Sequence, residues 1–145
     1  LRVRGLAGSY VDKLREMGSF AEEVPEGGLV IGQEVDRIYA DVKERLPADG
    51  VEIESAGEDG SLVCRVQMHA TRQAGADADP TPRELDCVLW NPWIEKAARL
   101  GDLGDEDYKK FVCVEPGRVS RWEPLAPKHT FALKQILQWT KKDEK

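Results

Sequence analysis

Few side chains in this chain are of a type and setting that could do chemistry, and Glu115 is the foremost. It closes the apolar run Phe111-Val112-Cys113-Val114 and is followed at once by Pro116-Gly117. A short apolar run bounded by turn residues reads as a buried strand. Pro-Gly would break that strand and hold the carboxylate at the edge of a cleft. Burial there would make the carboxylate a stronger base. The residues alone equally fit a surface glutamate at a strand end. Asp36 lies between Val35 and Arg37 in an alternating run, which alone describes a solvent-facing strand residue paired with a cation. Trp90 and Trp93 have the size to stack on a ligand, but such tryptophans more often anchor a core or a hairpin. His69 follows Cys64 by five residues with no second ligand pair nearby, which argues against a zinc site. It reads as an ordinary strand histidine, and His129, between Lys128 and Thr130, as an exposed one. Neither GxxxxGK[ST] nor GxGxxG occurs, so no phosphate-cradling loop is encoded.

The elements that must position these groups are short strands separated by Gly, Pro and Asp turns. Leu1 to Arg4 alternates, Leu29-Val30-Ile31 leads into Val35 to Tyr39, and Val51 to Glu54 alternates again. Leu62 to Met68 follows the turn Glu58-Asp59-Gly60 and completes a hairpin with Val51 to Glu54. Cys87 to Trp90 and Phe111 to Val114 read as buried strands. Helical signals cover Trp93 to Leu100, with Pro92 before and Gly101 after, and Asp105 to Lys110, with acids first and lysines last. Thr130 to Trp139 fits an amphipathic helix or a strand, and the strand is favoured because Phe131, Leu133, Leu137 and Trp139 share a face on a period of two, interrupted only by Gln135. Gln73 to Arg83 reads as a surface loop. Many short strands with regular turns describe a mainly-β sandwich or barrel over residues 1–139, followed by a charged tail at 140–145.

Composition narrows the classes of function. The chain has 145 residues, 41% hydrophobic and 33% charged, which suits one soluble globular domain. A net charge of −6 argues against nucleic acid, whose binders carry a basic face. No apolar stretch is long enough to span a bilayer. Cys64, Cys87 and Cys113 are too few and too scattered for a disulfide scaffold. A reducing compartment is expected, cytoplasmic or in an organelle stroma or matrix. Asn91 precedes Pro92, so the one asparagine offers no glycosylation sequon. The chain opens without Met, inside an alternating segment, which reads as a start partway through a larger protein.

Three runs together carry a resemblance: Trp90-Asn91-Pro92-Trp93-Ile94-Glu95-Lys96, then Gly104-Asp105-Glu106-Asp107-Tyr108-Lys109, then Phe111-Val112-Cys113-Val114-Glu115-Pro116-Gly117. This order resembles the D-hexose-6-phosphate mutarotases, or glucose-6-phosphate 1-epimerases, of the aldose 1-epimerase superfamily. Upstream, Arg4-Gly5-Leu6, Tyr10-Val11-Asp12-Lys13 and Gln33-Glu34-Val35-Asp36-Arg37-Ile38-Tyr39 are similar to the family's segments. Downstream, Leu125-Ala126-Pro127 and Phe131-x-x-x-Gln135-x-Leu137 are similar to its terminal pattern, with Lys128 where the family has Gly and Phe131 where it has Trp.

The resemblance implies the C-terminal half of a galactose mutarotase-like β-sandwich with short helices. It implies an isomerase that interconverts the α and β anomers of a hexose 6-phosphate. In that chemistry a base takes the proton of the C1 hydroxyl while an acid protonates the ring oxygen, each contributing about 10²–10⁴-fold. By resemblance Glu115 is the base, Asp36 binds and orients a sugar hydroxyl, and Gln33 also reaches the substrate. Neither a metal nor an organic cofactor is called for. The family's acid histidine and its phosphate-binding arginines belong to an N-terminal half without counterpart here. A half-sandwich would leave an apolar face for another protein chain to cover, and a non-catalytic structural or carbohydrate-binding subunit is the alternative reading.

Overall fold

A computed structural model describes residues 1–22, 27–57 and 60–142. The expected turn at Glu58-Asp59 and the last charged residues, 143–145, lie outside the described residues. The fold is mainly β, with two antiparallel sheets packed as a sandwich. In chain order the strands are β1 (Arg2–Arg4), β2 (Gly8–Asp12), β3 (Gly18–Glu22), β4 (Leu29–Val30), β5 (Val35–Tyr39), β6 (Val51–Gly57), β7 (Gly60–Ala74), β8 (Thr81–Pro82) and β9 (Asp86–Asn91). A short helix α1 (Trp93–Ala97) and a 3-10 turn (Asp107–Lys109) precede β10 (Cys113–Gly117) and β11 (His129–Lys142).

Among the described residues, one sheet runs β11-β7-β6-β1-β4, with β8 paired to β7, and the other runs β10-β9-β5-β2-β3. We call these the long and the short sheet. The core lies between them. Val3, Val51, Cys64, Val66, Met68 and Ala70 of the long sheet face Tyr10, Val35, Tyr39, Cys87, Leu89 and Val114 of the short one. Full burial of each such aliphatic side chain contributes about 1.5–3 kcal/mol. Gly50 is required where the chain turns into β6: its φ is +82° and a Cβ would stand 2.3 Å from the Val66 carbonyl oxygen.

Several expectations are corrected. Leu29-Val30 and Val35–Tyr39 do not form one run. β4 pairs with β1 in the long sheet, β5 lies in the short sheet, and the chain crosses between layers at residues 31–34. β7 continues past Met68 to Ala74, and Thr81-Pro82 returns to pair with it, so part of the expected surface loop is strand. The strands β2 and β3 have no counterpart in the sequence reading, because Gly8 and Gly18 at their starts resemble turn punctuation. Pro116-Gly117 does not break its strand. Both residues pair with β9, at Cys87 and Asp86. β10 is an edge strand, where a missing N–H removes no ladder bond on the free side. The helices are shorter than expected, and β11 runs on through Lys142 into the segment read as a tail.

The sandwich is open on one side. β11 registers Leu133 with Ala70, Leu137 with Val66 and Trp139 with Cys64, so these side chains share the core face of the long sheet. Yet Leu133 is 44%, Leu137 52% and Trp139 62% exposed. The short sheet ends at β10 and does not reach over them. Leu62, Trp139, Ile53 and Val112 line a cavity of about 210 Å³ at this margin.

Candidate functional site

Register brings the candidate carboxylates together. Asp36 pairs with Trp90, and Trp90 with Cys113; one pleat along, Ile38 pairs with Val88, and Val88 with Glu115. Directly paired residues and their i+2 neighbours share a face. The core members of these strands have the opposite parity. Asp36, Trp90, Cys113, Ile38, Val88 and Glu115 therefore line the face of the short sheet that turns away from the core. Asp36 and Glu115 are two strands and one pleat apart, roughly 12 Å between Cα atoms at standard spacings.

Glu115 is exposed, against the expectation of a buried strand end. Its side chain leaves the middle of β10 on the outer face, with the strand continuing through Pro116 and Gly117. Burial, and next the negative charge of Glu115, push the Cys113 thiol up. The Cys87 thiol lies on the core side, and burial takes it to about 12. Cys64, Cys87 and Cys113 are all free.

Asp36 departs from the solvent-facing reading. It is 8% exposed. Its Oδ2 lies 3.0 Å from Lys13 Nζ, while its buried Oδ1 has no hydrogen-bond partner among the described residues. An unmatched buried acceptor costs about 1–3 kcal/mol. Lys13 extends β2: its backbone N–H donates to the Asp36 carbonyl at 2.9 Å. A row Lys13–Asp36–Trp90–Cys113 thus crosses four strands. Gln33 is exposed in the connection into β5. Beside it Glu34 pairs with Lys96 of α1 at 2.5 Å, tying that connection to the helix.

The Trp-Asn-Pro-Trp run acts through its asparagine. Asn91 is fully buried; its Nδ2 donates to the carbonyls of Tyr108 (2.8 Å) and Phe111 (2.7 Å), and its Oδ1 accepts from Trp93 N–H (2.9 Å). One side chain so fixes the start of α1 and the segment that delivers β10. The tryptophans serve packing as expected: Trp93 meets the Tyr108 ring edge-on with centroids 4.9 Å apart, and Trp90 lies 6.2 Å from Phe111. From the long sheet, Gln135 Nε2 donates to the Val114 carbonyl at 2.7 Å, steadying the edge strand next to Glu115.

Asp86 closes the other end of the face. It is fully buried and accepts from Asp41 N–H (3.0 Å), Val119 N–H and Ser120 N–H (both 2.8 Å) and the Arg118 guanidinium (3.3 Å). Burial alone would raise its pKa. The donors from Ser120, Asp41 and Val119 outweigh burial and hold it below the usual carboxylate range. Arg118 also bonds Asp41 at 2.7 Å, so residues 118–120 are clasped over this end. The sequence hint for Asp86 was a lone acid heading the apolar run Cys87–Trp90. For Lys13 the strand that carries it went unread.

The histidines stay apart from this face. His69 is an exposed β7 residue, and His129 is half-buried rather than exposed, with Nδ1 3.2 Å from Arg72. Among the described residues no cluster of His, Cys, Asp and Glu is arranged to hold a metal ion, and no helix is long and apolar enough to cross a membrane.

The chain is 30% identical over 128 residues to a protein named "Putative glucose-6-phosphate 1-epimerase" from Cenchrus ciliaris. The match covers 88% of this chain but 32% of that relative, so the chain spans about a third of its length. No family model matches, and no solved structure matches.

Proposed function

We propose that this chain forms the carboxylate-bearing part of a hexose-6-phosphate mutarotase, a glucose-6-phosphate 1-epimerase. The observation that carries the reading is the meeting of Asp36 and Glu115 on one outward face, roughly 12 Å apart between Cα atoms at standard spacings. The similarity over most of the chain to a protein named for that activity supports it.

In this reading Glu115 removes the C1 hydroxyl proton. Its exposure leaves the carboxylate free to approach a sugar from solvent, with its strand held by β9 and by Gln135. An acid from elsewhere in the assembled domain protonates the ring oxygen, the ring opens, the C1–C2 bond turns, and closure gives the other anomer. Asp36 accepts a sugar hydroxyl and orients the ring, and Gln33 approaches from the rim. Only protons move. The uncovered strip on β11 is the seat of the N-terminal half of such a domain, consistent with a relative about three times as long as the matched segment. That exposed strip also favours a second reading, a non-catalytic subunit docked in a larger assembly.

The test is anomer exchange of glucose 6-phosphate, followed by NMR in the intact protein. Exchange above the buffer rate is expected, and Glu115→Gln lowers it by about 10²–10⁴-fold with an unchanged unfolding midpoint. Wild-type rates in that variant sink the role of Glu115; no exchange in the intact wild type favours the non-catalytic reading.

A further inference from the structure

The core-facing row of β11 is interrupted by a single polar side chain between Phe131 and Trp139, and the structure gives that side chain a task. Phe131, Leu133, Gln135, Leu137 and Trp139 alternate along the strand, and Gln135 registers with the buried Met68 of β7. Its amide carries two N–H donors. Nε2 donates at 2.7 Å across the sandwich to the Val114 carbonyl, on the edge strand of the short sheet. Pro116 has no N–H to give to β9, so its nitrogen lies on the free side of β10. Val114, two residues earlier, turns its backbone to that same side. Gln135 therefore takes up a carbonyl that the ladder with β9 leaves open. That carbonyl belongs to the peptide unit joining Val114 to Glu115, whose atoms lie in one plane and move together.

We propose that Gln135 is a positioning residue for Glu115: by holding the carbonyl of the Val114–Glu115 peptide it sets the plane from which the Glu115 side chain leaves β10, and so the direction of the exposed carboxylate. This rests on the mutarotase reading above and deepens it. Among the described residues β10 has a neighbouring strand on one side only, β9. A strand paired along one side has fewer fixed contacts than one inside a sheet and opens more readily. The Gln135 bond adds a second hold, from the opposite sheet, at the residue just before the candidate base. Gln135 is itself exposed, so replacing it opens no cavity in the core.

The experiment is a double-variant cycle in the intact protein, with Gln135→Met, Gln135→Lys, Glu115→Gln and the Gln135→Met/Glu115→Gln pair. Methionine keeps the length of the side chain without a donor, and lysine keeps a donor. Steady-state anomer exchange of glucose 6-phosphate gives kcat and KM. Gln135→Met is expected to lower kcat about tenfold, within the range that misplacing a catalytic group costs, and Gln135→Lys to recover most of it. KM is expected to hold, because the direction of Glu115 matters in the chemical step. Because Gln135 acts through Glu115, the double variant is expected to be no slower than Glu115→Gln alone. Wild-type kcat in Gln135→Met, no recovery in Gln135→Lys, or losses that multiply in the double variant overturn the proposal. If the wild type exchanges no anomers, the functional reading fails by itself, and amide hydrogen exchange along β10 decides the role of Gln135. Faster exchange of the Glu115 N–H in Gln135→Met, restored in Gln135→Lys, then supports it. The same rate in all three proteins, or no restoration by lysine, overturns it.

Discussion

Asp36 and Asp86 stand on the same outward face of the short sheet, both buried, and their surroundings are opposite. Asp86 receives three backbone N–H groups and a guanidinium, and residues 118–120 fold over it. Among the described residues Asp36 receives one lysine and keeps an oxygen unmatched. A buried carboxylate is tolerated only where donors offset the loss of water. Asp86 meets that condition entirely within the chain, which makes it a fastener. Asp36 meets it by half, through Lys13. Exposed Glu115 lies between the two ends, on the strand that the Asp86 end holds in place through Gly117.

The largest effect that could break this comparison is on stability. Asp86→Ala should destabilise the fold by about 3–5 kcal/mol, the cost of stripping one partner from a buried charged network. Asp36→Asn should cost less, about 1 kcal/mol, the net worth of a hydrogen bond, because the amide oxygen still accepts from Lys13. Urea unfolding measures both, and similar losses in the two variants would end the distinction. Next in size is an acid effect. The folded-state pKa of Asp86 is depressed, so its contribution is present above its unfolded value, about 3.9, and fades as pH falls through the folded value. The stability gap between wild type and Asp86→Asn should therefore narrow as pH drops below about 4; a gap as wide at pH 3 as at pH 7 refutes the assignment. The smallest effect concerns the open strip. Trp139→Ser in the isolated chain should shift stability by less than about 0.5 kcal/mol, as for an exposed position. In the intact protein the same change should cost more, and equal shifts in both contexts would mean that nothing seats there.

Much of the architecture was legible in the residues. Alternation at Val51–Glu54 and Thr130–Trp139, and the apolar run at Cys87–Trp90, correspond to β6, β11 and β9. Those segments state their strand character through side-chain period, a local property. The glycine-led strands β2 and β3 do not, because their apolar content is slight and their pairing is decided by neighbours. Pro116 misled for the same reason: a proline's meaning depends on whether its strand is an edge, which no local pattern contains.

The site divides in the same way. The amino-acid sequence by itself determined that the fold is mainly β, through side-chain period and turn residues, and its resemblance to a known family singled out Glu115, Asp36 and Gln33 as the groups worth asking about. Only the tertiary structure decided that Glu115 is exposed, that Asp36 is buried, and that Lys13 is its partner. Burial and pairing are properties of strands brought together from residues far apart in the chain, and a carboxylate's chemistry is set by what those strands put beside it.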